Sequence, residues 1–312
     1  MRSFITGIDG FVGSWLAESL KARGDDVSGL SRRAPGPSDG IRRYRADMTD
    51  SKAVAGAISE SRPDRVFHLA AQNNIADSFA APQSTMETNL LGSIHLFEAV
   101  RVHAAGSRIV SVGSSAEYGK TADEPGLLSE ELPLIPTSPY GISKAAQSML
   151  CGVYAAAFNL QIVHARPFAV IGPRKTRDAL SHFCRGVAEI ERGLRESLSV
   201  GNLAAVRDFV DVRDCAGAFI LLSEKGRAGQ VYNICNSRET RLEELLSIVK
   251  GLARRPVTTV PDPSRLRPVD DRRIAGNNGR LKDLGYAPAY ELADTVRDTL
   301  DYWRSQSAAH PS

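Results

Sequence analysis

Thr6-Gly7-Ile8-Asp9-Gly10-Phe11-Val12-Gly13 joins a short apolar run, residues 3–6, to a helical pattern over residues 11–23 in which Val12, Trp15, Leu16 and Leu20 share one stripe. The spacing is Gly-x-x-Gly-x-x-Gly, which departs from the Gly-x-Gly-x-x-Gly dinucleotide fingerprint but keeps its physics. Gly7 permits the tight turn, Gly10 lets backbone amides approach a pyrophosphate, and Gly13 allows close helix packing, with the helix N-terminus facing the phosphates. The glycines alone also fit an ordinary strand-to-helix turn. Their place at the start of a βαβ pattern favours dinucleotide binding.

Further strand-like runs lie at residues 27–30, 43–45, 65–69, 108–113 and 161–166, with helical patterns at 51–61, 86–102 and 140–158. This alternation predicts an α/β fold, a Rossmann-like doubly wound parallel sheet, over residues 1–173. Beyond residue 173 the pattern becomes irregular, with helices at 181–191, 212–223, 241–252 and 292–304 and isolated strands at 198–200, 231–234 and 257–260. Residues 174–304 therefore read as mainly a smaller C-terminal α/β substrate-binding lobe, some segments returning to the first domain, and residues 305–312 as a flexible tail.

Composition removes several classes. Of the 312 residues, 42% are hydrophobic and 24% charged, with 26 Gly and 16 Pro, which argues against disorder, collagen and coiled coil. Lys and Arg number 39 against 36 Asp and Glu, a net charge of +3 too small and dispersed for a nucleic-acid partner. Cys151, Cys184, Cys215 and Cys235 show no metal-ligand spacing, so no metal site is expected and reduced, cytoplasmic thiols are the default. No apolar run approaches the ~20 residues of a bilayer span, and the N-terminus enters a strand directly, so neither a membrane partner nor a signal peptide is expected.

A second cluster reads Ser138-Pro139-Tyr140-Gly141-Ile142-Ser143-Lys144. Ser138 suits a helix cap and Pro139 the first turn, so Tyr140 and Lys144 share one helix face. A cation held there is expected to lower the phenol's pKa toward neutrality, ready to exchange a proton with a substrate oxygen. Upstream, Val110-Ser111-Val112-Gly113-Ser114-Ser115 places Ser114 at the C-terminal edge of a parallel strand, where such sheets bind ligands. At the end of the second strand Arg32 and Arg33 stand where NAD-specific sites carry a carboxylate. Two guanidiniums suit a 2′-phosphate, so NADP(H) is preferred and NAD(H) remains possible.

Together, Thr6-Gly7-x-x-Gly10-Phe11-x-Gly13, His68-Leu69-Ala70-Ala71, Asn89, Ser114-Ser115-Ala116-Glu117-Tyr118-Gly119, Tyr140-x-x-x-Lys144 and Arg166-Pro167-Phe168 resemble the extended short-chain dehydrogenase/reductases, the NAD-dependent epimerase/dehydratase family, that act on nucleotide sugars. Within it Ile171-Gly172-Pro173, Val200-Gly201-Asn202-Leu203, Ala205-Val206-Arg207-Asp208-Phe209 and Leu266-Arg267-Pro268 are similar to the GDP-4-dehydro-6-deoxymannose reductases. The resemblance implies a catalytic triad of Ser114, Tyr140 and Lys144. It implies a cofactor lined by Gly7, Gly10, Phe11, Val12, Asp47, Met48, Leu69, Ala70, Ala71 and Pro167. It also implies a nucleotide-diphosphate sugar met by Ser115, Glu117, Arg174, Asn202, Arg207 and Arg267.

Two departures bear on the reaction. The 4,6-dehydratases of this family carry a carboxylate pair after the catalytic Ser or Thr, where this chain has Ser115 and Ala116. Such an elimination then lacks its general acid unless Glu117 is displaced into the role. Ala169 replaces the family's usual Asn, with Arg174 and Lys175 as substitute phosphate contacts. The expected reaction is NADPH-dependent reduction of GDP-4-keto-6-deoxymannose to GDP-rhamnose. The rivals are a 4-epimerase or dehydratase using tightly bound NAD, and a catalytically silent NADP(H) sensor, which the presence of both Tyr140 and Lys144 disfavours. The family's dimers pair helices matching residues 86–102 and 140–158, so a homodimer is expected.

Overall fold

Two apolar rows build the centre of the molecule. The parallel register places Phe4, Val66, Ile109 and Ile162 side by side, and one residue on Ile5, Phe67, Val110 and Val163. Because strand side chains alternate, the rows face opposite ways and both are buried, so the strands need helices on each side. The computed structural model describes residues 1–32, 39–265 and 272–306. Its main sheet has β1 (Arg2–Thr6), β2 (Asp26–Ser31), β3 (Arg42–Arg45), β4 (Arg65–His68), β5 (Arg108–Val112), β6 (Gln161–Pro167) and the later strand Val231–Ile234. The spatial order is β3-β2-β1-β4-β5-β6 followed by Val231–Ile234, all parallel. That is a Rossmann-like doubly wound sheet whose order reverses between β1 and β4, the place where such sheets bind ligands.

The Phe4 row packs with α2 (Ser51–Ser61), α5 (Gly92–His103) and α6 (Pro139–Phe158) through Ile58, Leu96 and Phe97. The Ile5 row packs with α1 (Phe11–Ala22) and helix Val212–Lys225 through Leu16, Leu20, Phe219 and Leu222. A separate apolar cluster joins helices Ala179–Glu191, Leu242–Gly251 and Leu292–Gln306 through Phe183, Val187, Leu245, Val296 and Leu300. Short pairings surround it: Ala169–Ile171 with Phe209–Asp211, Ser197–Val200 with Thr258–Pro261, and Val206–Arg207 between Thr240–Arg241 and Arg273–Ile274. No helix among the described residues is long and apolar enough to cross a membrane.

One expected helix differs. Instead of a single run over 86–102, the chain forms α3 (Ile75–Ala80), α4 (Pro82–Met86), a π-turn over Glu87–Leu91 and then α5. The wide turn carries the buried Asn89, whose Oδ1 accepts from the Gln72 amide (2.7 Å) and whose Nδ2 donates to Gln72 O (3.0 Å) and Ser143 Oγ (2.9 Å). One amide thus ties the segment after β4 to α6; π-turns are often found at such functional places.

Candidate active site

The glycine-rich turn closes against the end of β4. Gly7 has φ +72°, and a Cβ there would press on the Ala70 backbone. Only glycine meets both conditions without strain. The Gly10 amide donates to Gly7 O at 2.9 Å, and Ala70 N donates to Thr6 Oγ1 at 3.1 Å, fixing Leu69, Ala70 and Ala71 beside the turn. Helix α1 begins at Phe11 with Gly10 as its cap, no side-chain capping bond and no acidic residue in its first turn. Its leading amides are therefore left for an anion, and the cradle fits a dinucleotide pyrophosphate. Val12 and Phe11 pack on the main apolar cluster, and the Lys175 ammonium lies 5.4 Å over the Phe11 ring.

At the end of β2, where the resemblance expects the adenosine, Arg32 is exposed, its guanidinium 4.0 Å from Asp47. Asp47 also accepts from Thr49 N (3.0 Å) and Oγ1 (2.8 Å), and these bonds hold its carboxyl below the usual range. Met48 is buried against Gly92, and its carbonyl pairs with His95 Nδ1 at 2.8 Å. Arg33 lies outside the described residues. Arg43, a cation the sequence reading passed over, donates from Nε to Asp9 in the glycine-rich turn (2.9 Å) and from its two amino groups to Asp39. A carboxylate inside a phosphate-binding turn calls for a counter-ion, and that demand is the sequence signal for Arg43.

Ser138 Oγ accepts from Gly141 N at 3.0 Å, so the expected cap sets α6 and aims Tyr140 and Lys144 toward the edge of β5. Lys144 Nζ donates to Val112 O (2.8 Å) and Gln147 Oε1 (2.9 Å), while Gln147 Nε2 donates to Ser111 Oγ (2.8 Å). Gln147 was missed by the sequence reading although it stands one turn beyond Lys144. Burial lowers the Lys144 pKa to about 8. The expectation that Lys144 lowers the Tyr140 pKa is corrected here: burial pushes the phenol up to about 12, with the Ser114 side chain pulling it down and Glu117 adding to the rise. The ammonium is turned to the β5 carbonyl and Gln147, so desolvation of the phenolate prevails.

One expected substrate contact is corrected. Glu117 is 0% exposed; it accepts from His164 Nε2 (3.0 Å), Arg166 Nε (2.8 Å) and the Ser114 amide (2.8 Å), so neither carboxylate oxygen faces the crevice. This also removes it as a displaced dehydratase acid. Arg174 pairs with Glu18 at 2.6 Å and lies 4.2 Å over the Trp15 ring. Ser115 is partly exposed at the start of the turn Ser115–Glu117, and Asn202 Oδ1 accepts from Ala204 N at 3.1 Å. Arg207 donates to the Val206 carbonyl at 2.8 Å, and its neighbours Asp208 and Asp211 bind the Asn236 amide and Arg213. Arg267 lies outside the described residues. Ala169 pairs through its amide with Asp208 O at 3.0 Å, and Pro167 ends β6.

The family model of GDP-mannose 4,6 dehydratase matches residues 4–299. GDP-6-deoxy-D-mannose reductase of Pseudomonas aeruginosa is 32% identical over 98% of both chains. The structure of RMD from Pseudomonas aeruginosa complexed with NADPH has a TM-score of 0.85 at 30% identity, covering 98% of this chain and 100% of that one. Thermus thermophilus UDP-glucose 4-epimerase in complex with NAD has a TM-score of 0.88 at 31% identity, covering 97% of this chain and 99% of that one. With the glycine-rich cradle, the Ser114–Tyr140–Lys144 cluster and these likenesses in agreement, the chain belongs to the extended short-chain dehydrogenase/reductases, in the family of NAD(P)-dependent nucleotide-sugar reductases, epimerases and dehydratases.

Proposed function

We propose that the chain catalyses NADPH-dependent reduction of a nucleotide-linked 4-keto-6-deoxyhexose, namely GDP-4-keto-6-deoxymannose to GDP-rhamnose. The observation that carries this reading is the pair of hydroxyls at the site, Tyr140 and Ser114, with Ala116 at the dehydratase-acid position and the Glu117 carboxylate sealed in the core. Reducing a ketone takes one proton on its oxygen and no elimination acid. When bound, NADPH supplies the hydride to the keto carbon. Tyr140, kept protonated by burial, donates its proton to the keto oxygen, and Ser114 hydrogen-bonds and orients that oxygen. Lys144, its ammonium held by Val112 O and Gln147 Oε1, is the residue that would anchor the nicotinamide ribose.

The preference for NADP(H) over NAD(H) rests on Arg32 and Arg33, with Arg32 exchanging its contact with Asp47 for a 2′-phosphate. On the substrate side, Ser115, Asn202, Arg207 and Arg267 meet the nucleoside diphosphate sugar. A homodimer belongs to the same reading, supported by exposed apolar side chains on neighbouring helical segments: Leu91 and Val102 on one, Ile142, Met149, Val153 and Phe158 on the other. A cytoplasmic setting is supported by four buried, free thiols. The test is loss of NADPH absorbance with freshly generated GDP-4-keto-6-deoxymannose, compared with its UDP- and dTDP-linked counterparts. Stoichiometric oxidation with the GDP sugar is expected. Unchanged NADPH, together with interconversion of 4-epimers by protein purified with bound NAD, would replace this reading with a 4-epimerase.

A further inference from the structure

Behind Ser114 lies a polar cluster that the proposed chemistry does not use. Ser114 caps the short turn Ser115–Glu117, its Oγ accepting from Ala116 N at 3.2 Å, while Glu117 Oε1 reaches back to accept from the Ser114 amide at 2.8 Å. The other carboxylate oxygen accepts from Arg166 Nε at 2.8 Å; Arg166 also donates to the Tyr118 hydroxyl at 2.8 Å, and that hydroxyl donates to Asn233 Oδ1 at 2.9 Å. His164 Nε2 pairs with Glu117 Oε1 at 3.0 Å. Room for the carboxylate exists because residue 113 is glycine: a Cβ there would collide with both Glu117 Oε1 and His164 Nε2. Its anchors sit on β6 (His164, Arg166) and on the strand Val231–Ile234 (Asn233), so the cap is referenced to the rigid sheet rather than to a loop.

A fully buried carboxylate is costly unless every partner is in place. Burial alone would raise its pKa, but His164, Arg166 and the Ser114 amide hold it below the ordinary range, so it is an anion gripping an N–H. Resting on the reductase reading for what Ser114 does, we infer that Glu117 is a positioning residue: anchored by His164 and Arg166, it fixes the Ser114 backbone and thereby sets the Ser114 hydroxyl against the Tyr140 phenol. It touches neither substrate nor cofactor and acts through Ser114.

The test uses Glu117→Gln, Ser114→Ala and the double variant of the full chain, with folding checked by circular dichroism. The carboxamide keeps the volume but cannot satisfy both the Ser114 amide and Arg166. Expected for Glu117→Gln is a kcat loss of roughly tenfold or more with KM and the NADPH Kd within about twofold, since misplacing a reacting group lowers turnover more than binding. In the Ser114→Ala background the same change is expected to cost nothing further. A purely structural role would lower turnover by the same factor in both backgrounds, and that result overturns the inference. A second readout needs no substrate: with 3-fluorotyrosine incorporated, the fluorine resonance lost in Tyr140→Phe reports the phenol's surroundings. It is expected to move in the same direction in Ser114→Ala and Glu117→Gln. His164→Asn, which withdraws one partner from the carboxylate, is carried alongside in case Glu117→Gln does not fold, and should move it likewise. A resonance unmoved by the folded Glu117 or His164 variant contradicts the inference even if the wild-type protein reduces no ketosugar, whereas absent wild-type turnover with a displaced resonance counts against the reductase reading alone.

Discussion

Lys144 and Gln147, three residues apart on α6, form a buried pair in which the ammonium donates to the amide oxygen at 2.9 Å and its remaining reach goes to the Val112 carbonyl. Both acceptors are neutral, so nothing in direct contact offsets the desolvation that brings the lysine to about pH 8. An anionic dinucleotide raises that pKa on binding. The free protein near pH 8 to 9 therefore takes up a fraction of a proton as NADPH binds, and affinity declines as pH rises above about 8. Calorimetric titrations in two buffers of different ionisation enthalpy should give different apparent heats, and Lys144→Met should abolish the difference. Identical heats for the wild type would contradict this.

Gly13 faces the carbonyl of Gly7 so closely that a Cβ would fall inside van der Waals range of the oxygen. Gly13→Ala must push α1 away from the turn whose amides form the cradle. A cost of about 1–3 kcal/mol is expected from overpacking. The NADP(H) Kd should rise by more than the stability loss explains, because the helix N-terminus moves. Thermal unfolding and fluorescence titration of the same preparation separate the two effects; an unchanged Kd would contradict the cradle.

Acid sensitivity should have an identifiable source in His68. Its ring lies in the core between Thr6 Oγ1 (2.8 Å) and Ser93 Oγ (2.9 Å), and burial lowers its pKa to about 3. Well above its ordinary value of 6.5 both folded and unfolded chains hold it uncharged and it contributes nothing to pH dependence. Below its ordinary value of 6.5 the unfolded chain binds a proton that the folded one refuses, so stability falls as pH drops from 6.5 toward 3. At about 1.4 kcal/mol per pH unit this amounts to about 3.5 kcal/mol by pH 4. Urea unfolding at pH 7 and pH 4.5 should show a smaller stability difference for His68→Asn than for the wild type; equal differences would exclude His68 as the source.

Much of this was legible in local sequence because it rests on local physics. The Gly10-to-Gly7 turn bond, the cap at Ser138 and the shared face of Tyr140 and Lys144 need only neighbours within a few residues. What escaped depended on distant partners. Glu117 follows Ser115 by two residues and read as a crevice residue, yet the tight turn Ser115–Glu117 rotates it inward to His164 and Arg166, both on β6. Tyr140 read as an activated phenol because spacing shows the nearby cation but not the burial that outweighs it. The partners of Arg174 were equally hidden, its ring partner Trp15 and ion partner Glu18 both belonging to α1. The π-turn over Glu87–Leu91 serves Gln72 and Ser143, neither within its own segment, so the helical period of that stretch predicted one continuous helix.

In the proposed reaction a hydride reaches sugar C4 while Tyr140 supplies the proton. The most direct measurement is mass spectrometry and NMR of the product formed from GDP-4-keto-6-deoxymannose and NADPH deuterated at nicotinamide C4. One deuterium at C4 of a GDP-6-deoxyhexose, at a rate that Tyr140→Phe lowers by roughly two orders of magnitude or more, is the predicted result. Undeuterated sugar with NADPH unconsumed, or a rate unchanged in Tyr140→Phe, would contradict it.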